Sequence, residues 1–153
     1  MITRRDILVA SLSVAITAVV AAAVVAQPNG RPLMRSSFFE WNALKVTPTK
    51  TGERRDIFDS PTATLDRFEC HATTLNPGEA PHPAHKHVEE ELLIIKEGTL
   101  ETVQNGQTNS VGAGGIVFEA SNEPHGIRNV GTNSATYYVL KWYPPGSAKA
   151  KSQ

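Results

Sequence analysis

The sequence predicts an all-β protein: a single antiparallel β-barrel or jelly roll, preceded by an N-terminal signal helix and an irregular lead-in. From about residue 65 the chain consists of short β-rich runs separated by turn residues, and no segment shows a helical stripe. The 153 residues include 11 Gly and 10 Pro, which favour turns over long helices. Without helices between the strands, a parallel α/β sheet is excluded.

Charge and cysteine content exclude several classes of protein. Fifteen Lys and Arg balance fifteen Asp and Glu, so no net positive charge points to nucleic acid as a partner. The single cysteine, Cys70, rules out an intramolecular disulfide and a cysteine-based zinc site, and we expect it to be a small packed apolar residue. Any metal ion must therefore be held by histidine and carboxylate.

Residues 1–26 have the pattern of an export signal. Two adjacent arginines, Arg4 and Arg5, precede an uncharged stretch at residues 7–26, which ends in small residues suited to a signal peptidase. The arginine pair followed by Ile7 and Leu8 resembles a twin-arginine signal, which predicts a periplasmic protein. The alternative is that the stretch stays in place as a membrane anchor facing the periplasm.

Three further segments follow the signal. Residues 27–64 form a proline-broken, loop-like lead-in that we expect to pack outside the core, residues 65–143 form the barrel, and residues 144–153 form a polar tail. The pair Asn105-Gly106 predicts a tight hairpin, because both central positions of a type I′ turn need positive φ. The predicted strands cover residues 65–75, 90–95, 99–104, 115–119, 126–130 and 135–143.

Four histidines, His82, His85, His87 and His125, lie where strand geometry can bring them together. In a strand, His85 and His87 point to the same face, and Glu91 keeps that parity whereas Glu90 does not. A hairpin-connected barrel can bring His125 to the same interior. Three neutral imidazoles and one carboxylate suit a divalent ion of Mn, Fe, Co, Ni, Cu or Zn, and an octahedral ion keeps two positions for water or substrate.

The neighbouring polar residues are assigned structural roles. We expect His82, between two prolines, to lie in a loop at the barrel mouth, and His71 to be a hydrogen-bonded strand residue. Glu89 and Glu90 are expected on a solvated strand edge. The pocket walls should include Ile127 and Asn129, which lie on the same strand as His125. One face of the last strand should also contribute, either Leu140 and Trp142 or Tyr137, Val139 and Lys141.

Two groups of residues resemble the two sequence motifs of the cupins, a superfamily of antiparallel β-barrels. The first motif places a glycine before His-x-His, then a glutamate and a closing glycine. It is matched by Gly78, His85-Lys86-His87, Glu91 and Gly98, with one residue more than usual between Gly78 and His85. The layout is similar to that of small single-domain cupins of the quercetin-dioxygenase-like type.

The second motif is led by Gly114, with His125 and Asn129 at the family's spacing. It departs from the family at two positions, where Ala120 replaces a proline and Asn122 replaces a glycine. Asparagine tolerates the left-handed conformation that glycine supplies, so we expect the turn to form.

The resemblance implies that His85, His87, Glu91 and His125 bind one divalent transition metal ion (Mn, Fe, Ni or Zn), with Glu91 also able to act as a general base. It does not fix a reaction, because the fold serves many. The candidates are an oxidoreductase of the dioxygenase type, or a metal-assisted isomerase or lyase, acting on a small oxygen-bearing metabolite. The alternative is a non-catalytic module that binds a small ligand or metal outside the cytoplasm. A homodimer is also implied.

Overall fold

The computed structural model describes residues 31–147, so the predicted export signal lies outside the described residues. Within residues 31–147, no helix is both long and apolar enough to cross a bilayer. A short 3₁₀ helix, Trp41–Ala43, precedes the strands. The strands are β1 (Thr47–Thr49), β2 (Gly52–Ser60), β3 (Arg67–Leu75), β4 (Glu90–Glu97), β5 (Thr99–Gln104), β6 (Gln107–Gly112), β7 (Ile116–Glu119), β8 (His125–Asn129) and β9 (Ala135–Tyr143).

The strands form two antiparallel sheets. The larger has the order β1-β2-β3-β9-β4-β7, and the smaller has the order β6-β5-β8. The last strand, β9, lies between β3 and β4 and pairs with both. The predicted antiparallel all-β fold is confirmed, and the predicted strands at residues 99–104 and 135–143 coincide with β5 and β9.

The prediction of a loop-like lead-in is wrong for residues 47–60, which form the hairpin of β1 and β2. Strand β2 pairs with β3 and extends the larger sheet. Its sequence is rich in charge and gives no strand signal, but strand formation depends on neighbours across the sheet. Arg54 Nη2 lies 3.3 Å from Glu69 Oε1, and Asp59 accepts hydrogen bonds from Arg67 at 2.7 and 2.9 Å. These cross-strand pairs neutralise the charges.

Alternation along β4 defines the inside of the fold. Glu91, Leu93 and Ile95 are buried, whereas the residues between them are only partly buried. Burying a side chain such as Leu93 contributes about 1.5–3 kcal/mol. The apolar core comprises Leu75, Leu93, Ile95, Leu100, Val117, Ile127, Ala135, Tyr137 and Val139.

The predicted hairpin turn between β5 and β6 is confirmed. Asn105 has φ 50° and Gly106 has φ 80°, as a type I′ turn requires. The flanking residues Gln104 and Gln107 face each other in the register. The turn therefore fixes the pairing of these two strands.

Candidate metal centre

The backbone places two of the predicted histidines side by side. His85 and His125 form an isolated antiparallel bridge in which each N–H donates to the other's carbonyl at 2.9 Å. Their ring centroids are 4.9 Å apart, and the His87 ring lies 5.2 Å from His85 and 4.8 Å from His125. The three imidazoles thus meet as predicted, although His87 lies in a loop rather than in the expected strand.

Hydrogen bonds set the orientation of two of these rings. His87 Nδ1 lies 2.9 Å from the carbonyl oxygen of Glu89, and His125 Nδ1 lies 2.9 Å from that of Glu123. A carbonyl oxygen can only accept, so each Nδ1 carries the proton and each neutral ring keeps a lone pair on Nε2. Both Nε2 atoms are buried with no hydrogen-bond partner among the described residues.

Each of these Nε2 atoms faces a carboxylate oxygen. His87 Nε2 is 2.8 Å from Glu91 Oε1, and His125 Nε2 is 3.2 Å from Glu119 Oε2. Candidate donor atoms form two overlapping groups, His85–His87–His125 and Glu91–Glu119–His125, each with its atoms within 4.8 Å of one another. Because a lone pair and a carboxylate oxygen repel each other, this arrangement fits a bound cation.

The two carboxylates lie on neighbouring strands. Glu91 of β4 and Glu119 of β7 are opposite each other in the register, and both are buried. Burial, and then the charge of Glu91, raise the pKa of Glu119 to about 7. Burial lowers the pKa of His125, which keeps its ring neutral. The site thus holds neutral imidazoles beside closely spaced acidic groups.

Strand β9 presents one of its two alternative faces to the site. Tyr137, Val139 and Lys141 line the cavity, which decides between the two predicted registers of the last strand. Lys141 Nζ contacts Glu91 Oε1 in an ion pair. Tyr137 is buried in the apolar core, and this burial raises the pKa of its hydroxyl.

His85 and His125 line a cavity of about 170 Å³. One part of its wall is apolar and includes Leu93 and Ile127. Another part is polar and includes Arg54 of β2 and His71 of β3. Asn129, which we expected in the wall beside Ile127, is not among the lining residues.

Two of the residues that we assigned structural roles also face the cavity. His82 lies in a loop as predicted, with its ring centroid 4.3 Å from that of His85. His71 lies in β3 as predicted, but its Nδ1, which is 3.3 Å from Glu69 Oε1, is buried without the expected hydrogen bond among residues 31–147. Burial, followed by the charge of Arg54, lowers the pKa of His71 to about 4. Both rings are therefore within reach of a ligand in the cavity.

The predictions for Cys70 and the glutamate pair have different outcomes. Cys70 is buried as predicted, and burial raises the pKa of its thiol to about 11. Glu90 is half-buried on the outer face of β4, where it accepts a 2.9 Å hydrogen bond from Trp142 Nε1. The prediction of a solvated Glu89 is wrong, since only 8% of the residue is exposed. Its carboxylate lies 3.4 Å from His87 Nδ1, which draws it inward.

Comparison with known proteins matches part of the chain to a family model. The family model described as a cupin domain matches residues 71–141. The chain contains a cupin domain. No curated protein gives a significant match to the sequence.

Solved structures similar to this chain confirm the fold. The cupin domain of Schizosaccharomyces pombe Cnp3 superposes with a TM-score of 0.63 at 14% identity, over 76% of this chain and 81% of that one. The polyketide cyclase RemF from Streptomyces resistomycificus gives 0.59 at 22%, over 72% and 82%. A cupin-superfamily sugar phosphate isomerase from Silicibacter pomeroyi gives 0.57 at 15%, over 71% and 77%. At these identities the likeness shows the fold alone.

Two motif residues of the cupin domain have structural roles. Asn129 is fully buried, donates to the carbonyls of Leu75 and Asn133 at 3.0 and 2.8 Å, and accepts from the Gly131 N–H at 2.9 Å. Asn122 has φ 60°, so it supplies the left-handed conformation expected where the motif has a glycine. Asn129 therefore ties the end of β8 to the core instead of lining the cavity.

Sequence reasoning missed Glu119 as part of the site and left Lys141 as one of two alternatives for the cavity wall. A signal for Glu119 was present, because it shares strand parity with the apolar Val117, and both are buried in β7. No comparable signal was available for Lys141, since the inward face of β9 could not be chosen from the sequence. Cupins commonly bind a metal, and this chain has a His and Glu group able to hold one.

Proposed function

We propose that the protein is a metal-dependent enzyme acting on a small oxygen-bearing metabolite. His85, His87, His125 and Glu91 would hold one divalent ion of Mn, Fe, Ni or Zn. The observation that carries the proposal is the pair of buried Nε2 lone pairs, on His87 and His125, each directed at a carboxylate oxygen. Imidazole and carboxylate together suit such an ion.

The residues beside the ligands support catalysis rather than storage of an ion. When bound, the ion would supply Lewis-acid polarisation of a substrate oxygen. Glu91 and Lys141 form an ion pair at the cavity wall. Either side chain can therefore hold a proton, or accept one, next to a bound substrate. Such a pair favours proton transfer, as in an isomerase or lyase.

The cavity limits the size of the substrate. Its volume of about 170 Å³ is below the range of roughly 300–1,000 Å³ typical of drug-sized ligands. Its lining includes both apolar side chains, Leu93 and Ile127, and polar ones, Arg54 and His71. A compact metabolite with an enol, carboxylate or hydroxy-acid group matches this lining.

The reaction class is tested with natively expressed protein whose metal content has been determined. A panel of small enols and carboxylates is incubated with it in D₂O, and substrate proton exchange is followed by NMR while an electrode records oxygen uptake. We expect exchange or isomerisation without oxygen uptake. Oxygen consumption coupled to substrate loss would assign a dioxygenase instead, and saturable binding without turnover would assign a binding module.

The role of Lys141 separates proton transfer from mere charge compensation. Lys141→Gln should keep the metal ion and lose about 10²–10⁴-fold in turnover, the usual share of a general acid or base. Lys96→Gln is the matched control, because Lys96 lies over the Trp41 ring outside the cavity lining. Full activity in Lys141→Gln would reject the proposed role.

We also propose that the protein is exported through the twin-arginine route and is a homodimer. The support is the Arg4-Arg5 pair ahead of the uncharged residues 7–26, together with the family resemblance. Fractionation of cells expressing Arg4→Lys/Arg5→Lys should show the precursor retained in the cytoplasm. Sedimentation of the mature protein should give twice the monomer mass.

A further inference from the structure

Glu119 is a second buried carboxylate at the site, and the cupin motifs do not account for it. Only 3% of the residue is exposed, and it lies opposite Glu91 in the pairing of β7 with β4. Its Oε2 is 3.2 Å from His125 Nε2, while its Oε1 is buried with no hydrogen-bond partner in residues 31–147. A buried carboxylate oxygen without a partner is costly, so it indicates a missing cation or proton.

The contact between His125 and Glu119 repeats the contact between His87 and Glu91. In both histidines Nδ1–H donates to a backbone carbonyl, so Nε2 is an acceptor. In both pairs a carboxylate oxygen, also an acceptor, lies about as close to Nε2 as a hydrogen bond would place it. Because two acceptors need a positive charge between them, the same explanation applies to both carboxylates.

We infer that Glu119 is a second carboxylate ligand of the ion held by the three histidines and Glu91. This rests on the proposed metal centre and deepens it. Donors about 2.1 Å from an octahedral ion lie at most about 4.2 Å apart. Within each of the two donor groups, His85–His87–His125 and Glu91–Glu119–His125, the donor atoms lie within 4.8 Å of one another. Glu119 belongs to the second of these groups and shares His125 with the first.

The inference changes what the ion offers to a substrate. Five protein donors on an octahedral ion leave one open position instead of two. A substrate would then reach the ion through a single oxygen, and cavity residues such as His71 and Arg54 would hold its other groups. Two carboxylates also make the donor set harder, which favours Mn and Fe over Cu.

The competing explanation is a proton on Glu119 that is donated to His125 Nε2. Glu119→Gln distinguishes the two, because a glutamine amide can donate that hydrogen bond but is a much poorer metal ligand. Glu101→Gln is the matched control: it also removes one negative charge, and Glu101 pairs with Arg128 on the smaller sheet. Full-length mature chains of the wild type and both variants are stripped of metal and checked for folding by circular dichroism.

The dissociation constant for Mn²⁺ is measured from the EPR signal of free Mn²⁺, and the coordination number from the visible absorption of Co²⁺-loaded protein. We expect Glu119→Gln to weaken Mn²⁺ binding about tenfold or more and to change the Co²⁺ bands, with Glu101→Gln within twofold of wild type. An Mn²⁺ affinity of Glu119→Gln within twofold of wild type, or tighter, with unchanged Co²⁺ bands would overturn the inference. It would instead support a proton shared between Glu119 and His125 Nε2.

Failure of the wild type itself to bind Mn²⁺, Co²⁺ or Zn²⁺ would instead reject the proposed function. If Glu119→Gln did not fold, Glu119→Asp serves in its place. It keeps the charge but shortens the side chain by one methylene, so it should weaken Mn²⁺ binding and change the Co²⁺ spectrum. Wild-type values for both measurements in Glu119→Asp would equally overturn the inference.

Discussion

His85 and His125 are joined by two backbone hydrogen bonds of 2.9 Å, one in each direction. The bond pair fixes two imidazoles next to each other although forty positions of sequence separate them. Because the main chain alone makes this bridge, either side chain can be removed without breaking it. Loss of a ring and loss of the fold can therefore be measured separately.

His85→Ala and His125→Ala are each expected to lose nearly all bound metal and remain folded. Removing even an outer partner of a metal ligand costs about 10–100-fold in affinity, and loss of a ligand should cost more. Metal analysis after dialysis, with circular dichroism for the fold, checks this. His82→Ala is the control and should keep its metal; a full equivalent of metal in both site variants would refute the assignment.

Strand parity predicts opposite outcomes for adjacent glutamates. Glu91→Gln should weaken metal binding or abolish turnover, because Glu91 faces His87 and Lys141 inside the fold. Glu90→Ala loses only the hydrogen bond from Trp142, a cost of about 1 kcal/mol in stability, and should keep its metal. Metal titration of both variants decides, and the reverse ranking would contradict the orientation of β4.

Gly98, the closing glycine of the first motif, should not tolerate alanine. Its φ is +84°, and an added Cβ would lie 2.5 Å from Ala135 Cβ and 2.6 Å from Ala135 Cα. An alanine in the left-handed conformation costs about 1–2 kcal/mol by itself. Because of the added clash, we expect Gly98→Ala to lower the free energy of unfolding by more than that. Gly112→Ala, where nothing lies within 4 Å of the added atom, is the control in urea unfolding. Equal stabilities would contradict the close approach of β9.

The Cys70 thiol gives stability a dependence on pH. Its pKa is raised by burial from 9.0 to about 11, so the folded protein keeps a proton that the unfolded chain releases. This contribution is complete below pH 9 and is lost as the pH rises toward 11. Urea unfolding between pH 8 and 10.5 should show the decline, and Cys70→Val should reduce it.

The native Cys70 thiol should also resist a disulfide reagent at pH 8, whereas rapid labelling would show that it is exposed.

The sequence contained enough information for the histidines and for most of the strands. Alternation in β4 and the turn at Asn105-Gly106 are local patterns, and both have the predicted geometry. Motif spacing brought in His125, which no local pattern links to His85. The alternation in β4 and the turn at Asn105-Gly106 were therefore predicted correctly.

The sequence could not supply features that depend on pairing across the sheet. Arg54 and Asp59 of β2 pair with residues of β3, which allows this charged segment to form a strand. Without those partners, its sequence alone predicts a loop. The choice of the β9 face that carries Lys141 likewise depends on the pairing of β9 with β4. Glu89 was misassigned because its attraction to His87 arises only after the loop has folded.

Arg54 reaches the cavity from a hairpin that precedes the matched family region, residues 71–141. The proposed metal ligands and Arg54 therefore come from two different stretches of polypeptide. A substitution of Arg54 would change the polar lining of the cavity and leave all four proposed ligands in place.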